Sequence, residues 1–72
     1  MEYRKIFAER LKELRLEHKL TQVELAKKTE TSKSVISAWE LGQNEPSLTR
    51  LTAIAKFFDV TTDYLCGLDD FY

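Results

Sequence analysis

The chain has 72 residues, a formal net charge of −1 and one cysteine, Cys66, which excludes an intrachain disulfide and a four-cysteine zinc site and fits a reducing compartment. No run approaches the roughly 18 consecutive apolar residues of a membrane span, and the charged start MEYRK leads into no apolar leader core, so a soluble cytoplasmic protein is expected. At this length the whole of residues 1–72 reads as one domain, close to the smallest size at which a single core suffices without staples.

The elements read as helices throughout. Tyr3, Phe7, Leu11, Leu14 and His18 recur at spacings of three and four, which lines one face of a helix over residues 3–18. Thr21 and Glu24 then form a capping box, flanked by Leu20 and Leu25 in the positions of a hydrophobic staple, so a second helix is expected to start at Gln22. Ser32 is the next N-cap, followed by apolar Val35, Ile36 and Trp39, and Gly42 supplies a residue that tolerates a left-handed stop after Leu41. Asn44, Pro46 and Ser47 mark a loop, and Leu48, Leu51, Ile54, Ala55 and Phe58 make the stripe of a fourth helix that ends at Asp59. Val60, the cap Thr61 and Leu65 repeat the staple pattern for a short fifth helix, with Asp63 in its first turn and Gly67 closing it. The core is expected over residues 3–67, leaving residues 68–72 as a short tail.

Segments as short as the second and third helices are marginal on their own in water. Their spacing explains why they are paired. Counted from Gln22, apolar Leu25 falls fourth, small Ala26 fifth, and Ile36 and Trp39 fifteenth and eighteenth, the spacing of a helix-turn-helix. Two helices that cross steeply need a short side chain at the crossing, which Ala26 provides, while Leu25, Ile36 and Trp39 lock the pair against the first helix. Such a pair presents its second helix outward, free to enter a major groove.

The net charge alone argues against a polyanionic partner, but its distribution does not. Residues 1–56 carry all 11 Lys and Arg against eight Glu, whereas the remainder adds only Asp59, Asp63, Asp69 and Asp70. A polyanion would meet the first part and not the tail. On charge alone, an ordinary solvated surface is the simpler reading of so small an asymmetry.

The run LTQVELA, then TSKSVISAWELG, then EPSLTRLTAIAKFFDVTTDYLCG, preceded by RLKELR, resembles the Xre family, the Cro and phage-repressor type of helix-turn-helix domain, over residues 7–67. The resemblance implies an all-α, compact five-helix bundle of the lambda-repressor-like kind. It also implies a sequence-specific regulator of transcription that binds double-stranded DNA, with a repressor on a palindromic operator expected first and no cofactor or metal. The chain departs from the family pattern at Glu30, where the turn usually holds Gly, at Thr31, usually aliphatic, at Lys19, where Gly is frequent, and at Leu41, where Asn often contacts a phosphate.

By the same resemblance, Lys33, Ser34, Ser37 and Ala38 match the base-reading positions. Lys33 can donate to guanine N7 and O6, the serines donate or accept, and Ala38 can touch a thymine methyl. So sparse a surface leaves part of the selectivity to DNA shape. Gln22 begins the second helix, where free amides suit a phosphate oxygen, and Ser32, Gln43, Asn44 and Ser47 are further phosphate candidates around the groove. Ser32 and Ser47 would serve as caps in any case. Arg15 and Glu40 occupy positions the family often pairs, which implies that Glu40 holds the reading helix in place and leaves Arg15 near a phosphate.

Two-fold pairing on the palindrome would set the reading helices about 34 Å apart. The expected homodimer joint is the fifth helix and tail through Leu65, Leu68, Phe71 and Tyr72, unless these residues cover the base of the first helix or the dimerising part lies outside a fragment.

An enzyme is not expected. His18 is the sole histidine and ends an apolar face, and Glu9, Glu13 and Glu17 form an exposed stripe among basic neighbours. No Gly-rich phosphate loop or Cys-centred nucleophile is present. The reading from another class is a protein-binding module on the same scaffold, an antirepressor or assembly partner. Within the regulators, an antitoxin or a restriction-modification controller fits equally well.

Overall fold

The computed structural model describes residues 2–71 and places five helices in the order α1 (Tyr3–Glu17), α2 (Gln22–Lys28), α3 (Lys33–Glu40), α4 (Leu48–Phe58) and α5 (Thr62–Cys66). Among the described residues there is no strand. The fold is therefore the all-α, five-helix arrangement expected from the sequence.

Local chemistry sets the helix starts. The same device begins four of them: a Ser or Thr hydroxyl accepts a hydrogen bond from the amide three residues on. Thr21 Oγ1 takes the Glu24 amide at 3.1 Å, Ser32 Oγ the Val35 amide at 3.3 Å, Ser47 Oγ the Arg50 amide at 3.2 Å and Thr61 Oγ1 the Tyr64 amide at 3.0 Å. Each cap satisfies an otherwise orphaned amide, an effect of about 0.5–2 kcal/mol. At α2 the box is complete, because the Thr21 amide donates back to Glu24 Oε1 at 2.8 Å.

The stops use left-handed backbone. Gly67 ends α5 at φ +83° and Gly42 follows α3 at φ +72°, but Lys19, Glu30 and Asp59 hold φ +56° without being glycine. An L-residue there costs about 1–2 kcal/mol, which something else in each turn must offset. At Gly67 the reason for glycine is also spatial: a Cβ would sit 2.8 Å from Cδ1 and Cγ2 of Ile6.

The core is one cluster drawn from all five helices: Phe7, Leu11 and Leu14 of α1, Leu25 and Ala26 of α2, Ile36 and Trp39 of α3, Ile54, Ala55 and Phe58 of α4, and Tyr64 and Leu65 of α5. Burying each large side chain here contributes about 1.5–3 kcal/mol relative to exposure. α1 is the central strut, packing against α3 on one side and α5 on another, while α2 leans on α3 and α4 on α5. Phe7 meets Trp39 edge-on, ring centroids 6.1 Å apart, which joins α1 to α3 at the middle of the cluster.

The buried face of α1 is shorter along the helix and wider around it than its apolar spacing suggests. Tyr3 and His18, at its two ends, are exposed, whereas Ala8 and Arg15 are buried. His18 still packs, its ring edge-on to Phe58 at 4.9 Å with Nδ1 2.9 Å from the Leu14 carbonyl oxygen.

Leu65 requires a correction. Expected at a dimer joint, it is fully buried within the monomer, because the short α5 turns its single large aliphatic side chain onto the cluster. A side chain already removed from water has no apolar surface left to offer a partner. Leu68 and Phe71 are by contrast 63% and 81% exposed. Tyr72, named with them, lies outside the described residues.

Candidate nucleic-acid interface

The interface is built on α2 and α3. Ile36 and Trp39 fasten the inner face of α3 to the core, and 3.6-residue periodicity then turns the other face out. Lys33 and Ser34 are exposed at its N-terminal end, and Ser37 and Ala38 are half-buried one turn further on. These four residues thus share the outward face, with a cation, two hydroxyls and a methyl.

Two polar links hold α3 against the rest of the domain. Arg15 of α1 reaches Glu40, the last residue of α3, through a bidentate pair, Nε to Oε2 at 2.6 Å and Nη2 to Oε1 at 3.0 Å. The same guanidinium donates from Nη1 to the Leu20 carbonyl at 2.9 Å, and Gln22 Nε2 donates to Glu40 Oε1 at 3.2 Å. One carboxylate therefore ties together α1, the start of α2 and the end of α3. The hydrogen bonds that Arg15 donates to the Glu40 carboxylate raise the Arg15 pKa above its ordinary value against the opposing effect of burial.

This geometry places Arg15 with the scaffold: it is 8% exposed, and Nε, Nη1 and Nη2 all donate within the protein. Gln22 is half-buried, with its amide nitrogen turned to Glu40. Ser32 and Ser47 are exposed and accept from backbone amides, so each can still offer its O–H to an oxygen ligand. Gln43 and Asn44 are exposed in the loop between α3 and α4, whose start is fixed by the Gln43 amide donating to the Ala38 carbonyl at 3.0 Å. Ala26 and Leu25 are buried beneath the turn, where the Thr31 amide donates to the Ala26 carbonyl at 2.9 Å.

Two arginines in this framework carry no sequence signal that singles them out. Arg50 of α4 donates from Nη1 to the carbonyls of Glu30, at 2.9 Å, and Thr29, at 3.4 Å, in the turn between α2 and α3. Thr29 itself is buried and donates its hydroxyl to the Leu25 carbonyl at 2.8 Å. Arg10 of α1 clamps the tail: Nη1 donates to the Tyr64 carbonyl and, at 2.6 Å, to that of Asp69, Nη2 lies 3.3 Å from Asp70 Oδ1, and the guanidinium stacks 4.3 Å above the Tyr64 ring. Both act across 20 or more residues of chain, a distance at which spacing patterns say nothing.

A helix α3 with its outer face free, packed on α2 across a short turn, is the defining architecture of helix-turn-helix proteins, and the family model described as Helix-turn-helix matches residues 11–65. The chain belongs to this family, in its Xre and phage-repressor form, a class that is not enzymatic. It is similar to the uncharacterized HTH-type transcriptional regulator YobD of Bacillus subtilis, 38% identical over 65 residues, covering 90% of this chain and 58% of the relative. The HTH-type transcriptional activator BcrR of Enterococcus faecalis is 44% identical over 82% of this chain and 29% of its own length, and the immunity repressor of Bacillus phage phi105 is 37% identical over 82% and 41%. This chain therefore spans less than two thirds of the length of each of these relatives. Among solved structures, the P22 c2 repressor in complex with synthetic operator 9T superposes with a TM-score of 0.83 at 33% identity, covering 88% of this chain and 96% of that one.

Proposed function

We propose that this chain is a sequence-specific DNA-binding domain that regulates transcription, acting as a repressor by occupying a palindromic operator. The observation that carries the reading is the outward face of α3: Lys33, Ser34, Ser37 and Ala38 together on a helix clamped at its far end by the buried Arg15–Glu40 pair. A helix fixed in this way can present a cation and hydroxyls to base edges without having to be ordered on binding. Relatives named as a repressor, one of them solved on operator DNA, support the choice.

In this reading Lys33, Ser34, Ser37 and Ala38 meet the bases, and Gln22, Ser32, Gln43, Asn44 and Ser47 meet phosphates. Arg15 acts mainly through Glu40, holding α3. A homodimer formed by α5 and the exposed Leu68 and Phe71 would match the two-fold symmetry of a palindrome.

Selection from a randomised double-stranded DNA pool at two salt concentrations tests the proposal. Enrichment of an inverted repeat is expected, with retention falling steeply as salt rises, because each neutralised phosphate adds about −0.9 to the log–log slope. Failure to retain any duplex at low salt would refute it and favour the protein-binding module.

A further inference from the structure

The turn between α2 and α3 is made without glycine. Glu30 holds φ +56°, a strained conformation for an L-residue, and the turn sets the angle at which α3 leaves the scaffold. The Leu25 and Ala26 carbonyls in the last turn of α2 accept from the Thr29 and Thr31 amides, and the Thr29 and Glu30 carbonyls lie just past that turn, near the negative end of the helix dipole. Arg50 Nη1 donates to two carbonyls of this turn, Glu30 and Thr29, from the first turn of α4, where the Arg50 backbone amide is itself held by Ser47. A guanidinium donor to a carbonyl is stronger than a neutral one and suits the partial charge it meets. No other side-chain donor in the described hydrogen-bond network reaches the Glu30 carbonyl.

We infer that Arg50 is a positioning residue for DNA recognition: by bridging α4 to the Thr29 and Glu30 carbonyls it holds the glycine-free turn, and hence the orientation of α3. Arg50 then serves selectivity without touching DNA. The second arm of the test below rests on the DNA-binding reading; the first does not.

The first arm is amide hydrogen exchange on the free protein, comparing wild type with Arg50→Met, which keeps the stem and loses the donors, and with Arg50→Ala. Exchange at the Thr29 and Thr31 amides, bonded to Leu25 and Ala26, is expected to speed up roughly five- to tenfold, while amides of α4 and α5 stay within about twofold. No change at the turn, or an equal rise everywhere, overturns the inference.

The second arm measures binding of both variants to the duplex enriched by wild type and to a scrambled duplex over a salt series. The ratio of specific to non-specific affinity is expected to fall roughly fivefold or more with the salt slope unchanged. A parallel loss on both duplexes, with the slope shallower by about one phosphate, would make Arg50 a phosphate ligand and overturn the inference. If wild type shows no preference between duplexes, the regulator reading fails, and the exchange data still decide the role of Arg50 at the turn.

Discussion

Removing Glu40 should cost more than any contact it visibly makes. In Glu40→Ala the Arg15 guanidinium loses both bonds of its bidentate pair and keeps only the Leu20 carbonyl, with its charge intact at a site that is 8% exposed in the wild-type chain. Breaking one side of a buried ion pair costs about 3–5 kcal/mol, and the narrow opening to solvent argues for the lower end, about 3 kcal/mol. A domain of this size is stable by only about 4–11 kcal/mol. The melting temperature should therefore fall by roughly 12–24 °C. The double variant Arg15→Met/Glu40→Leu removes both charges and fills much of the same volume, so it should lie within about 1 kcal/mol of wild type. Urea unfolding followed by circular dichroism, at low and high salt, measures all three chains. If the single and double variants lose equal stability, the loss comes from packing and the buried-charge argument is wrong.

Gly67→Ala should destabilise by about 2–4 kcal/mol, since the new Cβ meets Ile6 and the backbone is left-handed; thermal melting reads this directly. Lys33→Ala should cost about 1–3 kcal/mol on the selected duplex and relax base preference, whereas Gln22→Ala should weaken all duplexes about equally, as competition binding will show. Hydrogen bonds from Thr21, its backbone amide first, hold the Glu24 carboxyl below its ordinary value. The stabilisation from a lowered carboxylate pKa is complete above the unfolded value of about 4.3 and is lost as pH falls through the folded one. Glu24→Gln, which can still close the box, should then show a shallower loss of melting temperature below about pH 4, and identical acid limbs would rule this out.

Legibility from sequence tracked the range of the interaction. Caps and stops are local, so Thr21 with Glu24, Ser32, Ser47 and Thr61 could be placed from a few neighbouring residues, and the helix starts follow them. The Arg15–Glu40 pair, 25 residues apart, was reachable only through family resemblance. Arg50 and Arg10 stayed invisible because a surface arginine in a helical pattern looks the same whether it meets water or a distant carbonyl. Leu65 departs from the sequence expectation for a related reason: a helix as short as Thr62–Cys66 has too few apolar positions to reveal which way it rolls. The apolar spacing of α1 likewise said nothing of Arg15, which is buried because its charge is paired.

The chain's single tryptophan, Trp39, lies on the inner side of α3 with its ring against Phe7. Its emission is therefore a built-in optical gauge of whether this helix is seated, with no dye or label required. Detachment of α3 alone would redden the signal while far-ultraviolet ellipticity held steady, and wholesale melting would move both together.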